Sequence, residues 1–134
     1  MSEEESEYKI TQLLVPEEMA QYISKGGPLS KQSENFEERK SQIELLKNIT
    51  DAFNKNQITA FEAGTGVGKS FAYLIPSMVW ALSNDEKVVI STGTINLQQQ
   101  LSEKDVPLAE KILGKKVKMA KKNLLTRSRS FFIS

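Results

Sequence analysis

Ile58-Thr59-Ala60-Phe61-Glu62 runs directly into Ala63-Gly64-Thr65-Gly66-Val67-Gly68-Lys69-Ser70. The first five residues read as a short strand. The next eight follow the pattern A/G-x-x-x-x-G-K-S/T, and Lys69 to Leu82 carries the apolar spacing of a buried helix. Strand, loop and helix in that order are the context in which the pattern signifies a phosphate-binding loop. Glycine lets consecutive backbone N–H groups converge on a polyphosphate, and the following helix adds the positive end of its dipole. In such a loop Ala63, Gly64, Thr65, Gly66, Val67 and Gly68 wrap the phosphates. Lys69 reaches the β- and γ-phosphates, and the Ser70 hydroxyl sits on Mg²⁺. A plain glycine-rich turn is the bland alternative, disfavoured by the flanking elements. The stretch reads as a nucleoside triphosphate site.

Upstream, Phe36-Glu37-Glu38-Arg39-Lys40-Ser41-Gln42 leads into a second helix. Ser41 with Glu44 predicts a capping box, and Ile43, Leu46, Ile49 and Phe53 fall on one face before Asn54 to Asn56 close the helix. Arg39 and Gln42 then lie at its N-terminal end, either as an exposed helix start or as nucleotide-recognition residues. A Gln amide both donates and accepts, so it can match an adenine edge. Farther upstream, Pro16-Glu17-Glu18 starts a short helix that ends near Ser24, and Gly26-Gly27-Pro28 interrupts regular structure. Ile10 to Val15 reads equally as strand or helix, and Leu29 to Glu34 as a polar connection.

Downstream of the loop, Pro76 falls inside the expected helix and Trp80 reads as core. Lys87 to Ser91 is a second short strand. It ends in Ser91-Thr92-Gly93-Thr94 and enters a helix with Thr94 as N-cap. Hydroxyls at such a corner serve either as caps or as contacts to phosphate and sugar. Leu108 and Ile112 continue an apolar face to Gly114, and Val117 to Ala120 is a candidate third strand. This alternation predicts an α/β fold, a parallel sheet with flanking helices, whose ligands bind at the carboxyl ends of the strands.

Composition narrows the class. The chain has 134 residues, enough for one domain, with 39% hydrophobic and 26% charged residues. Residues 1–62 carry 7 Lys/Arg against 12 Asp/Glu, whereas residues 63–134 carry 11 against 5. Eight basic and no acidic residues follow from Lys111 onward, a phosphate-backbone contact or a solvated end. With no Cys and no His, disulfides, thiolate metal sites and histidine bases are excluded from this chain. No apolar run approaches the ~18 residues of a membrane span. The acidic start, Ser2 to Glu7, is unlike a signal peptide, so a cytoplasmic location and no membrane partner are expected.

Four stretches in order resemble superfamily 2 DNA helicases of the DinG/XPD type. Gly26-Gly27-Pro28-Leu29 resembles the family's G-P-L segment. Phe36, Arg39 and Gln42 resemble its Q motif. Glu62 to Ser70 is similar to E-A-G-T-G-T-G-K-T/S, motif I. Thr92-Gly93-Thr94 with Leu97, Gln100 and Leu101 resembles motif Ia, T-x-T-x-x-L-x-x-Q-L. The resemblance runs from about Tyr22 to Ala120. It implies a partial RecA-like phosphate-loop NTPase domain and an ATP-dependent helicase function with ATP and Mg²⁺ as cofactors. Arg39 and Gln42 would recognise adenine with Phe36 stacking on it, and Thr92, Thr94 and Gln100 would touch single-stranded DNA. A proline inside the post-loop helix is also a family habit.

The resemblance stops at Ala120. Family members continue with a K-G-R-x-N-Y-x-C segment, often the start of an iron–sulfur site, and then a Walker B D-E-A-H and a second motor domain. Here Lys121 to Ser134 departs from that pattern, and the chain holds no D-E-x-H. The expected organisation is therefore an acidic N-terminus and short helix over residues 1–24, the first part of motor domain 1 over residues 25–120, and an atypical basic tail over residues 121–134. The expected product is a truncated helicase fragment that binds ATP–Mg and single-stranded DNA but does not turn over alone. The sequence leaves two other readings open: a small ATP-binding regulatory or interaction module, and another phosphate-loop enzyme such as a kinase.

Overall fold

The computed structural model describes residues 10–56, 69–92, 95–123 and 129–133, with backbone only at Thr92, Ile95, Ala120 to Asn123 and Arg129 to Ile133. In chain order the elements are α1 (Pro16–Gln21), α2 (Pro28–Gln32), α3 (Lys40–Asn54), α4 (Lys69–Asn84), β1 (Val88–Thr92), α5 (Ile95–Gln100), a π-helical turn (Leu101–Asp105), α6 (Val106–Leu113), β2 (Met119–Asn123) and β3 (Arg129–Ile133). The strand expected at Ile58 to Glu62 and the loop residues Ala63 to Gly68 lie outside the described residues.

Helix α4 is the pillar. Ala72, Leu74, Ile75 and Met78 are fully buried, and Phe71, Trp80 and Ala81 nearly so. Apolar side chains occur on nearly every side of this helix, as the run Phe71 to Ala81 requires, so it packs against neighbours all round. Leu46 and Ile49 of α3, Leu101 and the α6 residues Val106, Ala109 and Ile112 are also buried, most of them in one core with α4. Pro76 is buried inside α4 and removes one N–H from its ladder, yet the helix runs on to Asn84. Trp80 is core, as expected. Its ring stacks on Phe53 at 5.5 Å between centroids, and its indole N–H donates to Glu86 Oε2 at 3.0 Å.

Two asparagines fix how the helices align. Asn54 closes α3 and Asn84 closes α4. The Asn54 side chain accepts from the Leu14 N–H at 2.8 Å and donates to the Leu14 carbonyl at 2.7 Å. Asn84 does the same for Gln12, at 2.7 and 3.0 Å. Each amide thus replaces one rung of a strand partner for the segment before α1, which is neither strand nor helix. Alternate residues of an extended chain are about 7 Å apart, so the carboxyl ends of α3 and α4 are adjacent. These packed helices, 15 and 16 residues long, therefore converge at their carboxyl ends.

Several local expectations change. α3 begins at Lys40 with Arg39 as an extended N-cap, and no side-chain cap bond forms, so the Ser41–Glu44 capping box is not used. Leu29 to Gln32 belongs to the short helix α2, where Leu29 is buried beneath the turn. The two glycines before it have separate causes. Gly26 sits at φ +83°, and a Cβ on Gly27 would collide with the Gln21 carbonyl oxygen.

The sheet differs most. Its order is β1-β3-β2, and β3 pairs antiparallel with both neighbours, Val88 and Met119 each opposite Ile133. β1 and β2 consequently point the same way, as a strand–helix–strand crossover requires, but they are not hydrogen-bonded to each other. The expected parallel pairing is replaced by an antiparallel strand drawn from the tail beyond Ala120. An unpaired strand edge offers a row of N–H and C=O groups, and β3 satisfies one edge of each neighbour.

If the asparagine clamps hold the N-terminal segment, Asn54→Ala should cost about 1–3 kcal/mol in urea denaturation, because the buried Leu14 loses a donor and an acceptor together. Asn54→Asp, which keeps the acceptor only, should fall between the two.

Candidate nucleotide and nucleic-acid site

Lys69 and Ser70 form the first turn of α4, both half-buried. Arg39 is 15 residues before Asn54, and Lys69 is 15 residues before Asn84. Those asparagines hold the carboxyl ends of α3 and α4, and Arg39 precedes the first turn of α3 as Lys69 opens α4.

Their surroundings differ. Arg39 is exposed and pairs with Glu37 at 3.5 Å, a surface contact worth about 0–1 kcal/mol that a ligand can displace at little cost. Gln42 is buried. Its backbone N–H donates to the Arg39 carbonyl, fixing the first turn of α3. Phe36 is half-buried and packs against the core. Thr92 closes β1, and Thr94 lies outside the described residues.

The sequence gives no warning of Asp105. Its carboxylate accepts hydrogen bonds from the Ser70 hydroxyl and the Gln100 side chain, although 35 and 5 residues separate it from them. In a regular α-helix a residue five positions on is rotated by about 140°, so Gln100 and Asp105 would face apart. The π turn between them changes that rotation. Its signature is the Val106 N–H donating to the Leu101 carbonyl, five residues back. Pro107 follows within the next turn, and its ring cannot sit against a carbonyl four residues back in a regular α-helix. Widened turns of this kind recur where a side chain must be re-aimed. The available signal was the acid-to-proline run Asp105-Val106-Pro107 within a helical pattern; nothing in it identified a partner.

Asp105 is half-buried, but its Oδ2 is sealed from solvent and takes no hydrogen bond among the described residues. Burial holds its carboxyl above the usual carboxylate range, partly offset by the hydrogen bonds from Ser70 and Gln100 and by the Lys104 charge. Tyr73, one turn along α4 from Ser70, is pushed up to about 12, first by burial and then by the Asp105 charge.

A serine hydroxyl whose proton is taken by a carboxylate suits magnesium. This ion takes oxygen ligands, keeps several waters and uses one or two carboxylates with substrate phosphates rather than an all-protein cage. Among the described residues there is no cluster of three acidic or imidazole ligands, which such a site does not need. The chain's residues do not fit an iron–sulfur cluster, since no cysteine is present. No described helix is long and apolar enough to cross a membrane.

The raised Tyr73 value means that the fold prefers the protonated phenol. This contribution is complete below pH 10 and is lost as pH rises from 10 towards 12. The absorbance difference between the native chain and Tyr73→Phe should show a tyrosine titrating near 12, and Asp105→Asn should lower that midpoint. Titration of Tyr73 near 10 would contradict the packing described.

Comparison with known proteins gives a consistent set of relatives. The chain is 38% identical over 97 residues to the ATP-dependent DNA helicase YoaA of Haemophilus influenzae, covering 72% of this chain and 14% of the relative. It is 41% identical over 92 residues to the ATP-dependent DNA helicase DinG of Photobacterium profundum, 65% of this chain and 13% of that protein. It is 35% identical over 82 residues to a Bacillus subtilis protein named 3'-5' exonuclease DinG, 61% and 9% respectively. The chain therefore spans about a seventh or less of the length of these relatives. No protein-family model matches. No solved structure matches. Over the aligned residues the chain is a homologue of the DinG and YoaA group of ATP-dependent DNA helicases.

Proposed function

We propose that this chain is an ATP–Mg-binding segment of a DinG-like, ATP-dependent DNA helicase motor, with a partial RecA-like fold. What supports the reading is the similarity of 72% of the chain to an ATP-dependent DNA helicase, together with the phosphate-loop pattern that leads into α4, whose first turn holds Lys69 and Ser70. An adenine recognised by Arg39 and Gln42, with Phe36 beside it, and a triphosphate held by Ala63 to Ser70 would bring the heads of α3 and α4 to one nucleotide. Lys69 supplies positive charge to the β- and γ-phosphates, and Ser70 supplies a hydroxyl oxygen to magnesium. The ion, when bound, neutralises developing phosphate charge.

Single-stranded DNA is assigned to the carboxyl end of β1 and the helix after it, through Thr92, Thr94 and Gln100. The relatives' names, ATP-dependent DNA helicase, support both ligands. The proposal covers binding. Hydrolysis by phosphoryl transfer depends on a positioned water and charge-stabilising groups such as an arginine finger, which are assigned to an assembled motor.

One observation favours a second reading, a small ATP-binding regulatory or interaction module: β3 pairs with both β1 and β2. Coupling separates the two. A fluorescent ATP analogue titrated with Mg²⁺ should bind the native chain, and oligo(dT) should tighten that binding if the helicase reading holds. Binding indifferent to oligo(dT) favours the module. In either case Lys69→Ala should weaken nucleotide affinity by about 10- to 100-fold, as expected for losing a charge-assisted contact. Unchanged affinity in that variant would remove the phosphate-loop assignment.

A further inference from the structure

The carboxylate that joins Ser70 to Gln100 has a place in no motif quoted above. A serine hydroxyl carries one proton and two lone pairs. To offer oxygen to a cation it must turn its proton elsewhere, and a carboxylate is the strongest acceptor available for it. Asp105 occupies that position. It accepts from the Ser70 hydroxyl, while Gln100 donates to it from the preceding helix. The π turn is the device that brings both partners to one carboxylate, and the turn's own residues Leu101 and Ser102 are buried, so the arrangement is held by the core.

The sealed Oδ2 is costly. Among the described residues it has no donor, and a buried carboxylate oxygen so placed loses hydration at a cost on the order of 1–3 kcal/mol. A fold that keeps such an oxygen beside a hydroxyl at the head of the helix following a phosphate loop has a use for it.

Resting on the ATP–Mg reading, we propose that Asp105 is a positioning residue for the magnesium end of the nucleotide site. It orients the Ser70 hydroxyl with both lone pairs towards the ion and, through Gln100, ties that orientation to the helix that follows β1. Outer-shell partners of this kind set how strongly a ligand group serves its metal without touching the metal themselves. The same carboxylate gives the helix carrying the proposed DNA contact a mechanical connection to Ser70.

The test uses the full chain and a fluorescent ATP analogue, titrated once with Mg²⁺ and once with EDTA. The readout is the ratio of the two affinities. Asp105→Asn should shrink that ratio by about tenfold, the lower end of outer-shell effects because the site is half-exposed. Affinity in EDTA should stay within about twofold, since the phosphate loop itself is untouched. Ser70→Ala should give the same loss, and the double variant no more than the larger single loss.

The thermal midpoint of Asp105→Asn should be at or above that of the native chain, because a neutral amide removes the unpaired charge. A purely structural role predicts the reverse, a lower midpoint with equal losses in Mg²⁺ and EDTA, and that result would overturn the proposal. An unchanged ratio would do the same. If Asp105→Asn proves unstable, the exposed Gln100→Ala variant decides, with an expected drop in the ratio of about threefold for one lost hydrogen bond. No drop there overturns the inference. A native chain that binds no nucleotide overturns the ATP reading and this inference together, whereas a native chain that binds with an indifferent Asp105 overturns the inference alone.

Discussion

The burial of α4 on nearly every side is the constraint on which the other elements depend. A helix with Phe71, Leu74, Ile75, Met78, Trp80 and Ala81 around its circumference has no face to give to water. Burying even one such side chain is worth about 1.5–3 kcal/mol, so the surrounding elements are recruited to complete the coat. α3 covers one side, the π turn and α6 another, and β1 begins as soon as the chain leaves α4 through the Asp85 turn at φ 50°. The head of the same helix carries Lys69 and Ser70. Their placement is therefore tied to the packing of a buried helix.

Polar groups set the register that apolar packing alone would leave loose. Asn54 and Asn84 each spend a donor and an acceptor on the backbone of the segment before α1, and in doing so they pin the ends of two helices to alternate residues of one extended strap. Hydrophobic contact between α3 and α4 tolerates sliding by a turn. Paired amide bonds at 2.7 to 3.0 Å do not. The meeting of α3 and α4 at their carboxyl ends follows from two asparagines and one segment of backbone.

Much of this was legible in the sequence. The helix after the phosphate loop, the helix before it, the core role of Trp80 and the strand at Lys87 to Ser91 all follow from spacing and composition, because each depends on neighbours within a few residues. The capping box at Ser41 does not form, for the opposite reason: the rule is local, but the extended approach of Arg39 starts the helix two residues earlier. The antiparallel place of β3 between β1 and β2 was not legible, because the sequence shows which segments are strands but not which edge is satisfied by which partner. The tail beyond Ala120 carried no strand signal strong enough to compete with its basic composition, yet it supplies the antiparallel strand β3.

The sequence by itself determined the chemistry offered at the head of α4: glycines, a lysine and a hydroxyl in one short run, followed by a helix that must be buried. The tertiary structure decided what that hydroxyl faces. Asp105 lies 35 residues from Ser70, and no periodicity of 3.6 brings it onto the same face as Gln100. Only a π turn, seated by Leu101 and Ser102 in the core and followed by Pro107, rotates it there. Patterns along the chain report the face that a regular helix presents, and here the deciding contact is made by the turn that is not regular.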